Sequence, residues 1–177
     1  DLIVETAERF EVELVVILGA LLAEVAHSLP VPVTGIGTEE SLIRELDLER
    51  SSYEGPTGIA GVIHDRCCKA GLGSVSLWAA VPHYVATVPN PKAAVALSER
   101  LERITGVAAD NSGLEFETGS YEEQITKAVA ADPEVELLVH RIESEQRDGS
   151  QPDEEEVPSG DALALEFQHF LRQRGSQ

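Results

Sequence analysis

An open α/β sheet with helices packed against it is the fold class that this sequence predicts, and three features predict it. Residues 12–18 (VELVVIL) are almost continuously apolar and β-branched at their middle. That is the pattern of a strand buried on both faces, as in parallel sheets covered by helices. Residues 75–81 (VSLWAAV) form a second such run. Before it, the turn Gly55-Pro56-Thr57-Gly58 opens an amphipathic helix that Gly71 closes. Loop, helix, strand and the polar tip Pro82-His83-Tyr84 make one unit of an open α/β sheet, with its ligand-facing parts at the loop and the strand end.

The remaining elements follow in order. Residues 1–10 read as the tail of a helix, with Leu2, Ile3, Thr6 and Phe10 on one side. Residues 20–27 are ambiguous and allow a short helix closed by Ser28 and Pro30. Residues 31–37 (VPVTGIG) read as a weaker strand, and Thr38 can cap a short helix to Leu46. In the helix after Gly58, Ile59, Val62, Ile63, Cys67 and Ala70 fall at 3- and 4-residue spacings, which puts Cys67 on the buried stripe. Asn90 caps the next helix, with Pro91 in its first turn, and Gly106 ends it. Residues 107–119 read as a loop. Ser120 and Glu123 then have the spacing of a capping box. Tyr121, Ile125 and Val129 make one apolar stripe, and after Asp132-Pro133 the residues Val135, Leu138, Val139 and Ile142 make another. Residues 148–158 (DGSQPDEEEVP) are an acidic linker without periodicity. A last amphipathic helix carries Leu163, Phe167, Phe170 and Leu171 on one face. The domains expected are an α/β core over 1–106, helices over 107–147, the linker over 148–158 and the terminal helix over 159–177.

The 177 residues carry a formal net charge of -19, which repels phosphate backbones and anionic lipid, so nucleic acid and membrane surfaces are poor partners. Aromatic residues make up 5% of the chain, so the core is built from Ala, Val, Leu and Ile. The two cysteines are adjacent, Cys67 and Cys68, and point about 100° apart on a helix, which favours free thiols in a reducing cytoplasm. The chain begins at Asp1 and contains no methionine, so a fragment of a longer product is expected.

The segments SSYEGPTGIAGVIHDRC and SLWAAVPHYVATVPNPKAA, and the closing PSGDALALEFQHFL, resemble the actinobacterial branch of the proteasome assembly chaperone 2 family. The resemblance runs from Val12 onward. It implies a three-layer α/β/α sandwich similar to the purine nucleoside phosphorylase fold, with the N-terminal part missing and a helical C-terminal extension added. It also implies a noncatalytic role through protein–protein contacts, as in paired chaperones that help assemble proteasome rings. Some bacterial members are labelled ATP-grasp ligases, but Lys69, Lys92 and Lys127 are isolated on helices and supply no lysine-bearing lid. The chain ends Arg174-Gly175-Ser176-Gln177, without the hydrophobic–Tyr–any tail by which some members dock on proteasome rings.

Each candidate site has a plainer reading beside it. Gly55, Thr57 and Gly58 at a helix N-terminus can cradle an anion. They equally suit a tight turn that needs glycine, and the spacing is neither the dinucleotide fingerprint nor a P-loop. His83 and Tyr84 can reach a ligand across the carboxyl edge of the sheet, or simply pack at the strand end. His27, His64 and His83 would bind metal only if the fold united them, and no metal is expected. Cys67 reads as a small buried hydrophobe and Cys68, beside Arg66 and Lys69, as the more reactive thiol or a plain surface one. Trp78 reads as core. The sequence therefore leads to an assembly-chaperone-like or scaffold protein with no cofactor, self-associating through Leu163, Phe167, Phe170 and Leu171. The alternative is an enzyme or binder of a nucleoside, nucleotide or other anion.

Overall fold

The computed structural model describes residues 2–37, 49–50, 58–85 and 89–148, the pair 49–50 in backbone only. The chain divides into two compact units, Asp1–Glu143 and Ser144–Gln177. The elements are α1 (Leu2–Arg9), β1 (Leu14–Ala23), β2 (Val33–Gly37), β3 (Glu49–Arg50), α2 (Ile59–Ala70), β4 (Gly73–Pro82), a 3₁₀ turn (His83–Val85), α3 (Pro91–Thr105), α4 (Ser112–Ala130) and α5 (Pro133–Arg147). No helix among the described residues is long and apolar enough to cross a membrane.

The sheet has the order β1-β4-β2-β3. β1 runs parallel to β4 over ten pairs, from Leu14 opposite Gly73 to Ala23 opposite Pro82. β2 runs antiparallel to β4, with Val33 opposite Ala79 and Gly37 opposite Val75. β3 pairs parallel with β2. The sheet is therefore mixed. The three-layer α/β/α sandwich similar to the purine nucleoside phosphorylase fold, implied by the resemblance, is not what the chain forms. Chain length explains the reversal. Only residues 24–32 separate β1 from β2, nine residues, whereas a parallel crossover needs about a dozen or more. The chain leaves β1 at the carboxyl edge of the sheet and turns straight back.

β1 also differs from its expected place. It is an edge strand among the described residues, with Leu18, Leu21 and Leu22 exposed, so its apolar run does not mean burial on both faces. It continues through Ala20, Leu21, Leu22 and Ala23, where a helix was an option, because β4 offers partners along its whole length. β4 is the strand that is buried on both faces. Val75 and Leu77, both 0% exposed, meet Val33 and the α3 residues Ala96, Leu97 and Ile104. From the same strand Ser74 meets His64 of α2.

Helix ends follow local chemistry. Asn90 accepts a hydrogen bond from the Ala93 N–H at 3.0 Å, and Pro91 fills the first turn. Gly71 (φ 72°) and Gly106 (φ 68°) end α2 and α3 in the left-handed region, where a Cβ is unfavourable. Glu11 takes that conformation after α1 (φ 52°). Two expected features are absent. Residues 112–119 are helix, not loop: α4 starts after Asp110, whose Oδ1 accepts from the Ser112 N–H at 3.1 Å. Ser120 therefore lies inside α4 and caps nothing. On α1 the buried residue is Ala7, while Leu2, Ile3 and Phe10 are exposed. The stripes Tyr121–Ile125–Val129 and Val139–Ile142 are buried as expected, the first of them with Tyr84 and Val85 packed against it. The helix expected after Thr38 lies outside the described residues.

Trp78, the single tryptophan, covers Gly19 across the β1–β4 pair, and its Nε1–H donates to Ser76 Oγ at 2.8 Å. A Cβ at Gly19 would meet the indole at 2.7 Å. Gly19→Val should therefore displace the indole and destabilise the fold by about 1–3 kcal/mol. Urea unfolding followed by Trp78 fluorescence checks this; a native emission maximum with an unchanged midpoint would refute the close packing.

Candidate functional site at the carboxyl edge of the sheet

β1 and β4 end together, so the segments that follow them meet. The turn after β1 carries His27, 5% exposed, and the 3₁₀ turn after β4 carries Tyr84. The Tyr84 hydroxyl accepts the His27 backbone N–H at 2.9 Å and lies 2.9 Å from His27 Nδ1. Since that oxygen already accepts one bond, its own proton is best used on Nδ1. The His27 Nε2–H then donates to Thr126 Oγ1 of α4 at 3.0 Å. Both ring nitrogens are thereby committed and the ring is neutral. Burial lowers the His27 pKa from its usual 6.5; nearby Lys92 lowers it further, while Glu143 and Glu122 oppose. Burial raises the Tyr84 phenol, partly offset by the bond from the His27 N–H, so Tyr84 keeps its proton.

Three helices are tied into this network. Lys92, in the first turn of α3, donates from Nζ to the His27 carbonyl at 2.9 Å and pairs with Glu122 of α4. Ser28 donates to Glu143 of α5. Glu143 also faces His140 Nδ1 at 3.6 Å, and Arg141 lies 3.9 Å from Glu24 at the end of β1. The Lys92 side chain is 18% exposed, so removing it would leave a carbonyl and a carboxylate without their cation in a partly dry setting.

Of the residues expected at a site, Gly55 and Thr57 lie outside the described residues, as do Leu163, Phe167, Phe170 and Leu171. Gly58 is exposed and stands at the N-cap of α2 without a side-chain cap bond. His83 is exposed, with Nδ1 3.2 Å from the Ala23 carbonyl, and its ring meets that of Tyr84 edge-on at 5.6 Å. Because a carbonyl oxygen accepts, Nδ1 is the donor in that contact. Tyr84 is half-buried and belongs to the network with His27. The three histidines are not united: His64 bonds to Ser74 at the other end of β4, roughly 30 Å along the strand from His83. Among the described residues no group of three or more His, Cys, Asp or Glu side chains could hold a metal ion. Sequence reading singled out Tyr84 but missed Lys92, Glu122, Thr126 and Glu143, whose spacing carries no local signal.

The lowered His27 pKa has a defined consequence. Between the folded value and 6.5 the unfolded chain binds a proton that the folded chain does not, so this contribution is fully present above 6.5 and is lost as pH falls. Urea unfolding of the native chain and of His27→Gln should show a stability gap that is larger at pH 7.5 than at pH 5.5. A gap that stays constant or widens on acidification would refute a neutral His27.

The profile of the PAC2 family matches residues 1–129. The crystal structure of the Mycobacterium tuberculosis proteasome-assembly chaperone homologue is similar at 42% identity and a TM-score of 0.71, over 78% of this chain and 59% of that one. A PAC2 family protein from Streptomyces avermitilis is similar at 44% identity and a TM-score of 0.70, over 77% and 57% of the two chains. Pyrococcus furiosus PbaA, an archaeal homologue of proteasome-assembly chaperone, is similar at 25% identity and a TM-score of 0.56, over 71% and 55%. This chain thus spans less than two thirds of the length of these structures. Among curated proteins none matches.

Proposed function

This chain belongs to the PAC2 family, and from that premise we propose that it acts without catalysis, as an assembly chaperone or scaffold working through protein–protein contacts. The observation that carries the reading is the 42% identity to a proteasome-assembly chaperone homologue over 78% of the chain. The carboxyl-edge network supports it, because both nitrogens of its histidine and its lysine hold structure together. The exposed apolar residues Leu18, Leu21 and Leu22 on β1 offer contact surface.

The proposal includes self-association, with Leu163, Phe167, Phe170 and Leu171 of the terminal segment as the contact. It keeps the divisions at 1–106, 107–147, 148–158 and 159–177, with the acidic stretch as a tether. A reducing, cytoplasmic setting fits the free thiols Cys67 and Cys68, and the charge of -19 disfavours nucleic acid. A second reading keeps an anionic small molecule at Gly55, Thr57, Gly58, His83 and Tyr84. Its support is the exposed His83 ring and the start of α2 at Gly58, which carries no side-chain cap bond.

Two measurements test these readings. Native electrophoresis of isolated Mycobacterium tuberculosis proteasome subunits should show altered ring assembly when the chain is added, while calorimetry with nucleosides, nucleotides and phosphate stays flat. Saturable micromolar heat that vanishes in His83→Ala would move the assignment to the second reading. Sedimentation should show association of the intact chain that is lost in a version ending at Asp148 and in Phe167→Asp, which would place a carboxylate in the contact. Association should strengthen with salt, since two chains of -19 repel and salt screens that repulsion.

A further inference from the structure

The amino-terminal half of β4 carries a second group of reactive side chains, remote from the carboxyl edge. Cys68 is an exposed free thiol on α2. One turn earlier on the same helix, His64 holds Nε2 3.7 Å from Cys68 Sγ, at the i,i+4 spacing that brings side chains together on one face. His64 Nδ1 lies 3.0 Å from Ser74 Oγ, and Ser74 is 1% exposed. Cys67, 0% exposed, is bonded to the same serine: burial raises its thiol and the Ser74 hydrogen bond opposes that rise.

The atoms are placed for proton transfer. In the tautomer with its proton on Nδ1, His64 donates to Ser74 Oγ, and the lone pair on Nε2 faces the Cys68 S–H. A nucleophile, a base within reach of it and a buried group that orients the base are the parts of an activated thiol. The third member here is neutral, as is the asparagine of some cysteine–histidine enzymes.

We propose that Cys68, His64 and Ser74 form a nucleophilic thiol site whose substrates are low-molecular-weight disulfides, the product being a mixed disulfide on Cys68. His64 Nε2 takes the thiol proton as Sγ attacks one sulfur of the disulfide. The new Sγ–S bond forms, the S–S bond of the substrate breaks, and the departing thiolate takes the proton from His64. Cys68 is oxidised to the disulfide level and the leaving sulfur is reduced to a thiol, so no other oxidant is needed. Cys67 does not resolve the product, because adjacent helical residues diverge by about 100° and its sulfur is fully buried. The modification therefore persists until an external thiol removes it. The charged neighbours are Asp65, paired with Lys69 at 2.7 Å, and Arg66, with Glu5 of α1 lining the groove beside Arg66 and Lys69. His64 and Ser74 are positioned by secondary structure, the base on α2 and the orienting hydroxyl on β4, so the geometry belongs to the fold and not to a mobile side chain.

The test is the rate at which the full chain releases thionitrobenzoate from 5,5′-dithiobis(2-nitrobenzoate), followed from pH 5.5 to 9. One equivalent per chain should react at pH 7. Cys68→Ser should abolish the reaction and Cys67→Ser should retain it. His64→Gln should slow the pH 7 rate on the order of tenfold and shift the pH–rate profile to higher pH, because the base is gone. Ser74→Ala, a small buried change, should slow it less and in the same sense; melting curves of both variants show whether they are folded. Equal rates and profiles for the native chain and a folded His64→Gln or Ser74→Ala would overturn the proposal, as would loss of the reaction in Cys67→Ser instead of Cys68→Ser.

Discussion

Pairing of β4 on both of its edges is the constraint on which the described structure depends. Ten residues of β1 run alongside it in parallel and five of β2 in antiparallel fashion. Because both edges are used, the β4 side chains alone decide what packs above and below. Val75 and Leu77 direct α3 onto one side, and Ser74 receives His64 of α2 on the same strand. The connection through Gly71 and Leu72 is too short to let α2 drift from that position. At the other end of β4, Pro82 stops the ladder and passes the chain to Tyr84, which captures the turn leaving β1.

Much of this was legible from the residues, and what was not has physical causes. β4, the α2 stop at Gly71, the Asn90–Pro91 start and the Gly106 stop are written in local chemistry, as are the stripes of α4 and α5. Strand direction is not local. The apolar run before Gly19 identifies a strand but not whether a neighbour covers it, and β1 proved to be an edge. The nine-residue return to β2 did carry the antiparallel sense, through its length and not its composition. Residues 112–119 contain Gly113 and Gly119, each a helix penalty of about 1 kcal/mol, so propensity favours a loop. Tyr121, Ile125 and Val129 further on bury enough to carry the helix through them. Glu11 after α1 has no glycine to announce its positive φ.

The carboxyl-edge network was the least legible part. His27 lies 57 residues from Tyr84 and 99 from Thr126, and Lys92 reaches it across 65. Each alone reads as a surface polar residue. Tyr84 stood out only because it follows a strand that pointed to a ligand edge. At that edge Tyr84, His27, Thr126, Lys92 and Glu122 bond one another and hold α3 and α4 to the strand ends.

Polar contacts matter here because apolar burial is non-directional. The residues buried under α3 are Val33, Val75 and Leu77, with Ala96 and Leu97 partly covered. Apolar cores of conserved volume tolerate repacking, losing uniqueness before stability. A buried hydrogen-bonded group discriminates among such packings, since a shifted helix would strand its donors and acceptors at about 1–3 kcal/mol each. The two polar seams therefore do related work at opposite ends of β4. His27 locks α3 and α4 through Tyr84, Thr126 and Lys92; Ser74 locks α2 through His64 and Cys67. The difference between them is exposure. The first seam closes on itself with both histidine nitrogens spent, whereas the second runs out to the surface at Cys68. Structural order and reactivity thus arise from one kind of contact, and what separates them is whether the last group in the chain of hydrogen bonds is buried or can meet a reagent.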